Sequence, residues 1–197
     1  MIRIAIFASG SGSNTENIVR HFAGSKSARI QRIFTNNPKA GVIDRAGKLN
    51  IPCEVFSKMN FEGPNDILSK LVTEKIDFIV LAGFLLLIPK NIIEKFKDRI
   101  INIHPALLPL HGGKGFYGEN VHQAVISSGA IMSGITIHHV NEKFDEGEII
   151  FQAACHVSKN ETAESLEGKI HILEKSYFPV VIEKLIQNLY FNKPEAV

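Results

Sequence analysis

Three side chains could act together on a carbonyl group. Asn102 and His104 lie in Ile101-Asn102-Ile103-His104-Pro105, an extended segment that stops at a proline, whose ring fixes φ and removes a backbone donor. Alternate side chains of a strand share a face, so Asn102 and His104 point one way while Ile101 and Ile103 pack on the other. The carboxyl-terminal ends of strands are where open α/β sheets usually place their chemistry. The third residue, Asp145, sits in a Phe-Asp-Glu-Gly turn that could bring its carboxylate to the imidazole of His104. A carboxylate raises a neighbouring histidine's pKa and fixes its ring. Asparagine can polarise a carbonyl while a protonated histidine donates to the oxyanion, which suits acyl transfer. The plainer alternative is an ordinary strand end with two hydrogen-bonding residues.

No convincing covalent nucleophile accompanies them. The serines near the amino terminus lie in a turn, and there is no G-x-S-x-G. His138-His139 is a poor metal chelate because adjacent strand residues face opposite ways, and no H-E-x-x-H or Cys/His pattern is present. Metal-free chemistry is expected.

A second motif, Ser9-Gly10-Ser11-Gly12-Ser13-Asn14, stands between an apolar strand and a helix, where backbone N–H groups and the helix dipole favour a phosphate. The alternative is a tight strand–helix turn that merely requires glycine. A dinucleotide fingerprint fits poorly. Thr15 stands where the third glycine belongs, and Phe34-Thr35-Asn36-Asn37 offers no acidic residue after the second strand.

The elements that must position these groups follow from periodicity. Strands are expected over residues 2–8, 30–34, 52–56 and 77–83, with helices over 14–21, 41–49, 65–75 and 89–96. This alternation predicts right-handed crossovers and a doubly wound, mostly parallel sheet. A glycine-rich loop then runs from His111 to Gly118, either mobile or tightly turned, followed by a short helix over 121–128. Residues 131–140 and 148–157 read as an antiparallel strand pair near the C-terminus. A long C-terminal helix over 163–190 is expected to kink or break near Pro179. The whole, 1–197, reads as a single α/β domain.

Composition narrows the class further. A net charge of +2 with no basic run gives no footprint for nucleic acid or a membrane surface. The two cysteines stand apart, as core residues of a reducing compartment would. No signal peptide or membrane-spanning run is read, so a cytoplasmic protein is expected.

Five motifs in order carry a resemblance to a known family: Ser9 to Asn14; Leu81-Ala82-Gly83-Phe84; Asn102 to Pro105 with Leu107-Leu108-Pro109; Gly134-Ile135-Thr136-Ile137-His138; and Asp145-Glu146-Gly147. Together they resemble the phosphoribosylglycinamide formyltransferases, folate-dependent enzymes of purine synthesis, over nearly the whole chain. The resemblance implies a Rossmann-like formyltransferase fold with a phosphate-binding half (1–100) and a catalytic and folate-binding half (101–197). It implies transfer of a formyl group from 10-formyltetrahydrofolate, as co-substrate, to the amine of glycinamide ribonucleotide, by direct attack without an acyl-enzyme. Gly12, Ser13, Asn14 and Glu174 would hold the ribonucleotide. Leu85, Leu86, Leu87 and Ile88 would line the folate site largely through backbone groups, with Asn102 beside them. Asn102, His104 and Asp145 match the catalytic trio. A monomer or homodimer without nucleic-acid partners is implied.

This chain departs from the family's pattern at Leu86, where an arginine is common, and around Asn60 to Pro64, where a folate-side arginine has no clear counterpart. The loop from His111 to Gly118 is also longer and richer in glycine than the commonest form. Formyltetrahydrofolate hydrolase and methionyl-tRNA formyltransferase share the fold and the trio. They usually carry an extra amino-terminal or carboxyl-terminal domain, respectively, and usually lack the Ser-Gly-Ser-Gly-Ser-Asn turn. A non-catalytic nucleotide- or folate-binding module is the alternative of another class, and the intact trio argues against it.

Overall fold

The computed structural model describes residues 1–63 and 67–191. In chain order the elements are β1 (Ile2–Phe7), α1 (Ser13–His21), β2 (Ala28–Thr35), α2 (Val42–Lys48), β3 (Cys53–Val55), α3 (Lys58–Glu62), α4 (Ile67–Thr73), β4 (Phe78–Leu81), α5 (Lys90–Lys95), β5 (Ile100–His104), α6 (Glu119–Ser127), β6 (Met132–His139), β7 (Ile149–His156) and α7 (Ala163–Tyr190). The strands form one sheet in the order β3-β2-β1-β4-β5-β6-β7. Pairing is parallel from β3 through β5 and antiparallel at β5–β6 and β6–β7. The mostly parallel sheet, the antiparallel strands at one side and the long last helix are therefore as expected.

Strand order reverses at β1. The chain winds outward through β2 and β3, then crosses back to place β4 on β1's other side. A crevice opens at such a switch point, beyond the carboxyl ends of the two diverging strands. Both the glycine-rich turn after β1 and the Leu81-Ala82-Gly83-Phe84 segment that ends β4 stand there.

The central strands are buried on both faces, which is why they read as continuous apolar runs. One face packs against α7 through Leu166, Ile170, Phe178, Ile182 and Ile186, together with α1 and α6. The opposite face carries Phe7, Phe34, Phe56 and Phe61, and Phe84 joins them in ring contacts. Fully burying each such side chain contributes about 1.5–3 kcal/mol, so this cluster anchors the segment after β4.

One expectation needs correction, and one short element is added. The helix expected over 65–75 is described over Ile67–Thr73, its first two expected residues lying outside the described ones, and the separate short helix α3 stands ahead of it. Ser57 caps α3, its hydroxyl accepting from the Asn60 N–H. The last helix, in turn, runs unbroken through Pro179. Proline removes one hydrogen bond, but Phe178 and Ile182 on either side are wholly buried and hold the helix against the sheet. Among the described residues, no helix is long and apolar enough to cross a membrane. Pro64, at the end of the Asn60–Pro64 segment, also lies outside the described residues.

Candidate active site

β5 delivers Asn102 and His104 from the same face, and β6 lies antiparallel beside it with His138 directly opposite Asn102. Directly opposed residues of an antiparallel pair present their side chains on one side. The Asn102 amide nitrogen accordingly lies 3.1 Å from His138 Nε2. The turn between β6 and β7 brings Asp145 to the same point, where it lies 3.5 Å from His104 Nδ1 and accepts from the Asn102 amide at 3.4 Å.

That turn is closely determined. Asn141 accepts from the Lys143 N–H and donates to the Glu146 carbonyl, and Asp145 holds a left-handed φ of 57°. At Gly147 the chain passes so close to β6 that an added Cβ would fall 1.6 Å from the His139 carbonyl oxygen. Only glycine permits this approach, which explains Gly147 at the end of the turn.

Hydrogen-bond chemistry fixes the Asn102 amide. An amide oxygen so near the Asp145 carboxylate would be repelled, so the nitrogen faces it. His138 donates from Nδ1 to the His139 carbonyl at 2.8 Å, leaving Nε2 to accept from Asn102. Asn102 thus has one good donor contact, to His138, and one long one, to Asp145.

The glycine-rich loop from His111 to Gly118 is tightly turned. His111, Gly113, Gly115 and Gly118 all have positive φ. The loop is docked on the trio: the His111 carbonyl accepts from His104 Nε2 at 2.8 Å, and the Gly113 N–H donates to Asp145 at 3.0 Å.

Electrostatics refine one expectation. Burial pushes the His104 pKa below the ordinary histidine value and outweighs Asp145 and the His111 carbonyl, both of which favour the charged ring. The carboxylate's pull is present but loses to desolvation, so the imidazole is neutral at neutral pH. For Asp145, burial raises the pKa, but hydrogen bonding at the carboxylate, with the Gly113 N–H donating to it, holds it below the usual carboxylate range. Asp145 is therefore ionised.

These groups line one end of a cavity of about 470 Å³, a size typical of small-molecule sites. Gly12, Ser13 and Asn14 line another part of it, where α1 begins with Gly12 at a φ of 78° and no side-chain cap. Asn14 donates its amide to Glu174 of α7 at 2.9 Å. Glu174 is buried, and that burial raises its carboxyl pKa against the opposing pull of Asn14. Sequence separation hides this pairing entirely.

Leu85 to Ile88 form another part of the wall. Ile88 is buried in the phenylalanine-rich core and Leu86 packs against it, while Leu85 and Leu87 are exposed. The segment is secured by Ser9, whose hydroxyl accepts from the Leu85 N–H at 3.1 Å and donates to Asn36 at 2.6 Å. Ser9 thereby ties three strand ends together. Among the described residues, no cluster of three or more His, Cys, Asp or Glu side chains could hold a metal ion.

The structure thus brings Asn102 and His104 each to Asp145 and places Gly12–Asn14, Glu174 and Leu85–Ile88 around the same cavity. Sequence reasoning did not assign His138 its contact with Asn102, which the antiparallel register alone could have signalled. It also passed over His122 of α6, a single histidine with no local pattern to mark it.

The formyl transferase family matches residues 2–182. A chloroplastic phosphoribosylglycinamide formyltransferase of Arabidopsis thaliana is 42% identical over 91% of this chain, and the chain spans 64% of that relative's length. The phosphoribosylglycinamide formyltransferase of Bacillus subtilis is 35% identical over 94% of this chain and 95% of its own. Among solved structures, the phosphoribosylglycinamide formyltransferase of Bacillus halodurans superposes with a TM-score of 0.85 at 34% identity, covering 96% of this chain and 99% of that one.

Proposed function

Because the chain belongs to the formyl transferase family, we propose that it transfers the formyl group of 10-formyltetrahydrofolate to the amine of glycinamide ribonucleotide, a step of purine biosynthesis. The observation that carries this reading is the contact of Asn102, His104 and Asp145 in one cavity with a phosphate-type turn. The relatives named phosphoribosylglycinamide formyltransferase support the choice of substrates.

In this reading the Gly12–Asn14 turn takes the ribonucleotide phosphate and Glu174 contacts the same substrate. Leu85 to Ile88 supply backbone groups to the folate. The substrate amine attacks the formyl carbon directly. Asn102 stays anchored to His138 and turns its weakly held second N–H from Asp145 toward the formyl oxygen, where negative charge develops. His104, neutral before attack, takes the proton that the amine loses once its bond to carbon forms. The ionised Asp145 stabilises the resulting imidazolium, which returns the proton to the folate nitrogen as the carbon–nitrogen bond breaks. A polarised oxyanion, a proton carrier and its counter-charge are thus three separate tasks on three residues. The reading also divides the chain into a phosphate-binding first half and a catalytic, folate-binding second half, with Glu174 reaching back.

The test is incubation with glycinamide ribonucleotide and 10-formyltetrahydrofolate, followed by detection of formylated ribonucleotide. Formate released without dependence on ribonucleotide would overturn the proposal in favour of a hydrolase.

A further inference from the structure

His122 stands in the first turns of α6 and is buried in protein on nearly every side, with 3% of its surface exposed. It nevertheless lines the cavity that holds Asn14, His104 and Glu174. Its Nδ1 is buried and has no hydrogen-bond partner among the described residues. A buried polar atom without a partner costs about 1–3 kcal/mol, so this ring does not serve the fold's stability. The charged and titratable groups around it are Glu167 and His171 of α7, His104 of β5 and Glu119 of its own helix. The helix it belongs to begins at Gly118 with no side-chain cap, and Gly118 lines the same cavity.

We propose that His122 is a substrate-binding residue, donating an Nε2–H hydrogen bond to an oxygen of the ribose 5-phosphate portion of the ribonucleotide. The proposal rests on the ribonucleotide occupying this cavity, as argued above. Nε2 is the nitrogen left for a ligand, because Nδ1 is shielded. A charged ring would carry a proton on Nδ1 with nothing to receive it, and burial itself disfavours the charge. The ring is therefore a neutral donor, with its proton on Nε2 and its bare lone pair on Nδ1. Its distance along the chain from Asn14 and Glu174 makes it an independent contact to the same ligand. Its site at the start of α6 adds the favourable end of that helix's dipole for a ligand oxygen.

The experiment measures binding of glycinamide ribonucleotide, ribose 5-phosphate and inorganic phosphate by calorimetry, with thermal stability of each free protein alongside. His122→Leu removes the polar atoms at similar volume, His122→Gln retains an amide where Nε2 lies, and His122→Asn retains one where Nδ1 lies. The expected result is that His122→Leu weakens ribonucleotide and ribose 5-phosphate binding by about tenfold or more while free-protein stability holds or rises. His122→Gln should recover most of that affinity and His122→Asn should not. A loss seen with inorganic phosphate as well assigns the contact to a phosphate oxygen, and a loss confined to ribose 5-phosphate assigns it to the sugar. Unchanged ribose 5-phosphate affinity in His122→Leu overturns the proposal, as does a fall in stability with affinity intact, which marks a structural ring. Wild-type protein that binds none of the three ligands overturns the proposed function itself.

Discussion

Asn17 donates its side-chain amide to the carbonyl oxygen of Lys175 at 2.9 Å. In an uninterrupted helix that carbonyl would accept from the N–H four residues on, at position 179, where this chain has proline. α1 thus supplies to α7 the donor that Pro179 withholds.

From this pairing, Asn17→Ala should destabilise the protein by about 0.5–1 kcal/mol, read as a lower urea midpoint at constant slope. In a Pro179→Ala background, where the helix regains its own N–H, the same change should cost markedly less. Equal costs in both backgrounds would mean that the two positions are energetically independent.

Asn102→Ala and His104→Ala are each expected to fold normally, the first losing roughly 10²–10³ in kcat, the usual effect of removing one oxyanion donor, and the second, without its proton carrier, losing roughly 10²–10⁴. Near-normal turnover of a folded variant would remove that residue from the mechanism.

Asp145→Asn should lower the maximal rate and also move the acid limb of kcat/KM. Asp145 raises the His104 pKa against burial, so without its charge that pKa falls further. The histidine then stays neutral to lower pH, and the limb moves to lower pH. A rate profile in the same position would disprove the coupling.

Stability should decline as pH falls below about 6.5, the ordinary histidine value. His104 and His122 both have folded pKa values below it. Above that value both rings are neutral in either state. As pH drops toward the folded values, the unfolded chain takes up protons that the native protein refuses, and the native state loses ground. Urea midpoints measured from pH 7.5 to 5.5 should fall, and His122→Leu should flatten the fall.

Gly12 does more than admit a ligand. Its φ is 78°, and an added Cβ would sit 2.7 Å from the Val42 side chain. A change such as Gly12→Val should therefore, besides blocking ribonucleotide binding, part α1 from α2 and destabilise the fold by more than about 1 kcal/mol. Unfolding midpoints equal to wild type would show that the turn tolerates a side chain.

The parallel core was legible because strands covered on both faces need unbroken apolar runs, as in Phe78 to Leu81. The glycine-rich turn and the Asn102/His104 face were legible for a similar reason, since both follow from spacing within one segment. The five-residue helix α3 was not, because it is too short to display a period. The continuity of α7 through Pro179 was hidden because its compensation lies in Asn17, far away in sequence. The docking of His111 and Gly113 on the trio, and the burial that reverses the net effect of Asp145 on His104, are likewise products of tertiary packing.

The bond between Asn14 and Glu174 joins positions 160 residues apart. During synthesis the glycine-rich turn leaves the ribosome long before the segment that braces it. The contact belongs to the slow, non-local class whose formation waits on closure of a large loop. Ligand affinity should therefore be among the last properties a growing or refolding chain acquires, arriving with the docking of α7 rather than with formation of the sheet.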